Sequence, residues 1–99
     1  MKRVAVLTEA AADIEAGSSF YERQESGLGA YFIRSILQDL HRLESLHGPH
    51  PIHHGLMRML SERFPFGIYY REAADAIEVL AILDLRRDPD FIRGQVTER

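Results

Sequence analysis

Two apolar, β-prone segments dominate the chain: Arg63-Phe64-Pro65-Phe66-Gly67-Ile68-Tyr69-Tyr70 and Ile77-Glu78-Val79-Leu80-Ala81-Ile82-Leu83-Asp84. Only the polar stretch Arg71 to Ala76 separates them, so they read as a β-hairpin. Along the first strand Phe66, Ile68 and Tyr70 share one face, and Gly67, Tyr69 and Arg71 the other. Along the second, Ile77, Val79, Ala81 and Leu83 alternate with Glu78, Leu80, Ile82 and Asp84. Both faces are apolar at the centre, which is the pattern of a central strand covered on both sides.

Cover for one face comes from the N-terminal half. Arg3 to Leu7 suits a first strand, and Thr8 reads as the cap of a helix with Glu9 in its first turn. From Glu9 to Gln24 the positions Ala10, Ile14, Gly17 and Tyr21 keep helical spacing, with Phe20 adjacent. Glu25 to Gly29 forms a turn, and a second helix from Ala30 to Leu46 carries Phe32, Ile36, Leu40 and Leu43 on one stripe. Two helices joined so closely form an antiparallel hairpin. Leu56 to Glu62 reads as a further strand, with Arg58 opposite in direction to Met57 and Met59. The fold class is therefore α+β: an N-terminal strand, an antiparallel helical hairpin, a three-stranded antiparallel meander and a short C-terminal helix. Asp88 caps that last helix and Pro89 opens it. The tail from Pro89 to Arg99 is short, so the sheet face away from the hairpin is expected to be open and to suit a partner.

Composition narrows the function. A length of 99 residues makes one domain, 1–99, and such a small core often gains stability from a partner. The chain has no cysteine, which excludes disulfides, thiol chemistry and cysteine-based zinc sites. No apolar run approaches the roughly 18 residues of a membrane span, so a cytoplasmic protein with no membrane association is expected. The net charge of -3 argues against direct nucleic-acid binding. His47, His50, His53 and His54 cluster between prolines and glycines, but their spacing matches no metal cage, so no metal and no cofactor is expected.

The order strand, helical hairpin, then Arg58, Arg63 to Tyr70, Val79 to Ile82 and Arg87 to Pro89 resembles the RelE/ParE toxin superfamily of bacterial type II toxin-antitoxin systems. Ala10, Asp13 and Ile14, and the turn Gly27 to Gly29, extend the resemblance over nearly the whole chain. The long helical hairpin and the Phe-Pro-aromatic strand entry are closer to the ParE-like branch. The resemblance implies growth arrest, a role in plasmid stabilisation, and neutralisation by a cognate antitoxin in a hetero-oligomer. Arg58, Tyr69, Leu80 and Ile82 are the antitoxin-binding residues it suggests.

Two mechanisms separate within that superfamily. RelE-like members cleave messenger RNA on the ribosome, where clustered cations stabilise the phosphorane and a further group moves the proton. Arg58, Arg63 and Arg87 would be the catalytic residues here. Lys2 is at the wrong end of the chain for such a cluster, Phe91 cannot transfer a proton, and Asp84 would repel phosphate. ParE-like members instead poison DNA gyrase, which needs a surface and no chemistry. Arg86, Arg87, Phe91, Ile92 and Arg93 form the expected target-binding surface. The bland alternatives are that Arg86 and Arg87 pair with Asp84, Asp88 and Asp90, and that Arg58 and Arg63 pair with Glu62, Glu72 or Glu78. A non-toxic binding module is the remaining reading.

Overall fold

A computed structural model describes residues 2–99. Strand β1 (Arg3–Val6) leads into α1 (Thr8–Gln24) and α2 (Leu28–Leu46). Then follow β2 (Ile52–His53), β3 (Leu56–Leu60), β4 (Phe66–Glu72), β5 (Ala76–Asp84) and α3 (Pro89–Thr97). The sheet order is β1-β5-β4-β3-β2, with β1 parallel to β5 and the other pairs antiparallel. The α+β architecture is the expected one. The expected boundaries are corrected in several places.

Thr8 is the first helical residue of α1 and caps nothing; Leu7 precedes it in extended conformation without a side-chain cap. The second helix starts at Leu28, before Ala30, because Glu22 reaches from α1 and accepts from the backbone N–H groups of Gly27 at 3.1 Å and Gly29 at 2.9 Å. Gly27 has φ +90, which only glycine adopts without strain. The histidine segment contributes a two-residue edge strand, and the β4–β5 loop shrinks to Ala74 and Asp75, since Ala73 N–H donates to Ala76 C=O at 2.8 Å.

The helical hairpin covers one sheet face. Gly17 lets α2 close on α1, because a Cβ there would stand 2.6 Å from the Phe32 ring. Tyr21, Phe32, Phe64 and Phe66 form an aromatic cluster beneath, with Tyr21 and Phe64 centroids 4.8 Å apart. Asp39 of α2 is buried and anchors the end of β3: it accepts from Ser61 Oγ at 2.6 Å and Glu62 N–H at 3.3 Å, and pairs with Arg42 at 2.9 Å. Those bonds draw Ser61 and Glu62 out of the strand, which is why β3 stops at Leu60.

The opposite face is not open. Helix α3 lays Ile92 and Val96 on Tyr69, Ala81 and Leu83 as a second small core. Tyr69, Leu80 and Ile82, expected as antitoxin contacts, are interior residues at 1%, 4% and 1% exposure. Their allocation to faces also departs from strict alternation. Tyr70 pairs with Val79 and Tyr69 with Ala81, so Leu80 is an extra residue in β5, a β-bulge. Before the bulge Ile77 and Val79 face the helical hairpin; beyond it Ile82 does, while Ala81 and Leu83 turn to α3.

The histidines are dispersed among local partners. Tyr70 Oη accepts from Gly48 N–H at 2.9 Å and bonds His50 Nδ1, while His47 lies 3.6 Å from Glu72. Burial, and then the nearby Arg42 guanidinium, hold the His50 pKa below its ordinary value. The unfolded chain therefore binds this proton more readily, so the contribution of His50 to stability is present above about pH 6.5 and fades as pH falls through that value. The urea midpoint should be lower at pH 5.5 than at pH 7.5, and His50→Gln should narrow the difference. Asp39→Ala should cost about 3 kcal/mol in urea unfolding, because it removes a carboxylate with three partners from the interior.

Candidate functional site

Strand β1 runs beside only the first part of β5. Its last pair is Val6 with Val79, after which Leu7 N–H donates to Val79 C=O at 3.0 Å and the chain turns into α1. The edge of β5 from Leu80 to Asp84 therefore has no strand beside it. Ala81, Leu83 and Leu85 point their backbone groups toward β4, as the bond from Leu85 N–H to Pro65 C=O at 2.8 Å fixes. The C=O of Leu80 and the backbone groups of Ile82 and Asp84 point outward.

Two side chains satisfy part of this edge. Asp13 of α1 accepts from Ile82 N–H at 2.9 Å, and Arg99 donates to Leu80 C=O at 3.2 Å. Arg99 and Asp13 also pair with each other, at 3.0 Å between Nη2 and Oδ1, and Gln95 accepts from Arg99 at 2.9 Å. The bond to Asp13 is the main reason that the Arg99 pKa is raised. Asp84 C=O accepts from Arg87 N–H at 3.2 Å. Ile82 C=O and Asp84 N–H have no partner among the described residues.

Around this edge lies a groove of about 430 Å³ between α1 and α3. Its walls carry Gly17, Phe20 and Arg23 on one side and Arg87, Phe91 and Gln95 on the other. Phe20 and Phe91 are 43% and 38% exposed, so the walls are apolar rings open to solvent. The two carboxylates of the groove are already paired, Asp13 with Arg99 and Asp84 with Arg86 at 2.7 Å. The side-chain bond to Arg86 is the main reason that the Asp84 pKa lies below the ordinary range. Arg23 and Arg87 have no carboxylate partner among the described residues, and Arg87 instead stacks on Phe91 with 4.0 Å to the ring centroid. The groove thus presents two free guanidiniums beside two aromatic rings.

The expected target surface divides. Arg86, Arg87, Phe91 and Arg93 are exposed, but Ile92 is buried beneath α3 because its helical position faces Tyr69 and Leu83. Arg93 pairs with Asp90 inside α3, and Arg86 pairs with Asp84, as the bland reading holds; Arg87 does not. Arg63 pairs with no glutamate and donates to Gln38 of α2 at 2.8 Å. Arg58 lies across Gly67, where a Cβ would meet its Cδ at 3.0 Å, and its Nε is buried without a partner. The three arginines of the nuclease reading thus contact different neighbours: Gln38, Gly67 and Phe91. Sequence reasoning missed Phe20, Arg23 and Arg99. Phe20 lies about a quarter-turn from the α1 stripe of Ala10, Ile14, Gly17 and Tyr21, the one signal for its outward direction.

Among the described residues no three His, Asp or Glu side chains converge as metal ligands, and no helix is long and apolar enough to cross a membrane. No protein-family model and no curated protein matches the chain. Among solved structures, it is similar to a chain of the chromosomal ParDE TA system from P. aeruginosa, with a TM-score of 0.71 and 23% sequence identity over 83% of this chain and 94% of that one. That likeness establishes the fold: a strand, a helical hairpin, an antiparallel meander and a C-terminal helix, shared across most of both chains.

Removing the carboxylate that closes the bulge tests its structural role. Asp13→Ala should cost about 2 kcal/mol, since it leaves a partly buried guanidinium and the Ile82 N–H without their acceptor. The Ile82 amide should then exchange faster with solvent while the amides of β4 keep their protection, readable by urea unfolding and amide-resolved exchange.

Proposed function

We propose that this chain is the toxin of a type II toxin-antitoxin pair, of the ParE-like kind, which poisons DNA gyrase in the cytoplasm and is neutralised by a cognate antitoxin. The observation that carries this reading is the fold likeness to a chain of a ParDE TA system. One fold hosts several activities, so the choice of target rests on the site. A poison needs a surface that binds and stabilises a partner's intermediate, and the exposed Arg86, Arg87, Phe91 and Arg93 offer cations and an aromatic ring of the type that anchors protein interfaces.

The separate anchorage of Arg63 and Arg87 argues against the messenger RNA nuclease. Phosphoryl transfer needs its cations and proton-transfer group around one phosphate, within hydrogen-bond reach of each other's ligand. Here Arg63 is held against α2 and Arg87 against α3.

Purified chain mixed with gyrase, ATP and relaxed plasmid should stop supercoiling and accumulate protein-linked, cleaved DNA. Phe91→Ala or Arg93→Ala should weaken that effect about tenfold or more, the scale of one lost interface anchor. Both positions are exposed, so unfolding in urea should change little. An unaffected gyrase, together with transcript cleavage in a translating extract, would instead assign the chain to the nuclease class.

A further inference from the structure

We infer that the groove between α1 and α3 takes an extended, acidic segment of the partner protein, laid parallel to β5 with one residue opposite Leu83. The identity of the partner as an antitoxin rests on the toxin reading above; the chemistry of the segment rests on the groove itself.

The orientation follows from which backbone groups are left over. In antiparallel pairing an incoming residue exchanges both of its bonds with one residue of the edge strand. Neither outward residue is available for that. Ile82 has its N–H committed to Asp13, and Asp84 has its C=O committed to Arg87 N–H. In parallel pairing an incoming residue donates to one residue and accepts from the residue two further on. Ile82 C=O and Asp84 N–H are such a pair, and they flank Leu83. Strand β1 already runs parallel to β5 on this side and leaves the track at Leu7, so the segment would occupy the track that β1 vacates.

The side chains define the rest of the occupant. Its flanks would meet Arg23 and Arg87, the two guanidiniums without carboxylate partners, and so would carry Asp or Glu. An apolar side chain between them would pack on Phe20 and Phe91. The volume, about 430 Å³, lies within the roughly 300–1,000 Å³ of ordinary ligand clefts. Strand addition of this kind draws affinity from main-chain bonds and specificity from alternate side chains. Because Arg87 and Phe91 also belong to the proposed target surface, a segment in the groove would cover them, and neutralisation would be a matter of occlusion.

A displayed library of random twelve-residue peptides, panned on the purified chain, supplies the probe. The enriched peptides should carry acidic residues flanking β-branched or aromatic ones. The affinity of the best synthetic peptide should fall about tenfold or more with the double variant R23Q/R87Q. N-methylation of the peptide should abolish binding at the residue opposite Leu83, whose N–H meets Ile82 C=O, and should be tolerated at the flanking positions. Binding should also protect the Asp84 amide from exchange, which a merely electrostatic contact would leave unchanged. Failure to enrich any peptide, enrichment of neutral or basic ones, or equal binding to R23Q/R87Q would overturn the inference. Gyrase plays no part in this experiment. If gyrase is indifferent and the peptide results hold, the gyrase-poison reading falls and the groove chemistry stands.

Discussion

Leu80 has no counterpart on β4, and the backbone groups that this mismatch leaves outward are closed by Asp13 from α1 and Arg99 beyond α3. Much of the molecule depends on that closure. The bulge rotates the remaining part of β5, so that Ile82 completes the core under the helical hairpin while Ala81 and Leu83 form a second core under α3. A regular strand would have placed Ala81 and Leu83 with Ile77 and Val79 under the hairpin, and Leu80 and Ile82 under α3. The same interaction ties the first helix to the last segment of the chain, since Asp13 and Arg99 are 86 positions apart.

The closure also decides what the edge can still bind. An open strand edge is a template for pairing, and proteins usually blunt it with charge or cover. Here the blunting is partial: Asp13, Arg99 and the Arg87 backbone take three of the outward groups, and the pair around Leu83 stays open. Electrostatics point the same way. Each carboxylate near the edge is neutralised within the chain, so the unpaired charge facing the groove is positive despite an overall charge of -3. Net charge is thus a poor guide to the local field of this face.

The order of elements was legible because long periodic segments carry it: the stripe of Phe32, Ile36, Leu40 and Leu43, and the alternation through Phe66, Ile68 and Tyr70, are both core in the structure. The bulge was not legible, since a one-residue insertion changes no residue type and only shifts the register against another strand. That single shift accounts for the misassigned faces of Val79 to Leu83. The burial of Tyr69 and Ile92 was missed because the tail was undervalued: nine residues of α3 are enough when they cover a patch as small as Tyr69, Ala81 and Leu83, while Ile82 is buried under the helical hairpin. Arg63 was expected to pair with Glu62, Glu72 or Glu78 across neighbouring strands, but its partner Gln38 lies 25 positions away on α2, and the bond depends on how α2 crosses the sheet. The site was legible only in part. Arg87 and Phe91 stand out in a charged exit, whereas Phe20, Arg23 and Arg99 acquire meaning only once α1, α3 and the edge of β5 are brought together.

The second core and the open edge both depend on the register of β4 against β5, and cross-strand proton contacts measured by NMR read that register directly. Contacts of Tyr69 with Ala81 and of Tyr70 with Val79, with slow exchange of the Leu83 amide and rapid exchange of the Asp84 amide, are the predicted result. Contacts of Tyr69 with Leu80 and of Ile68 with Ala81, in a ladder that continues unbroken from the Tyr70–Val79 pair, would contradict it. Both the second core and the open edge would then lose their physical basis.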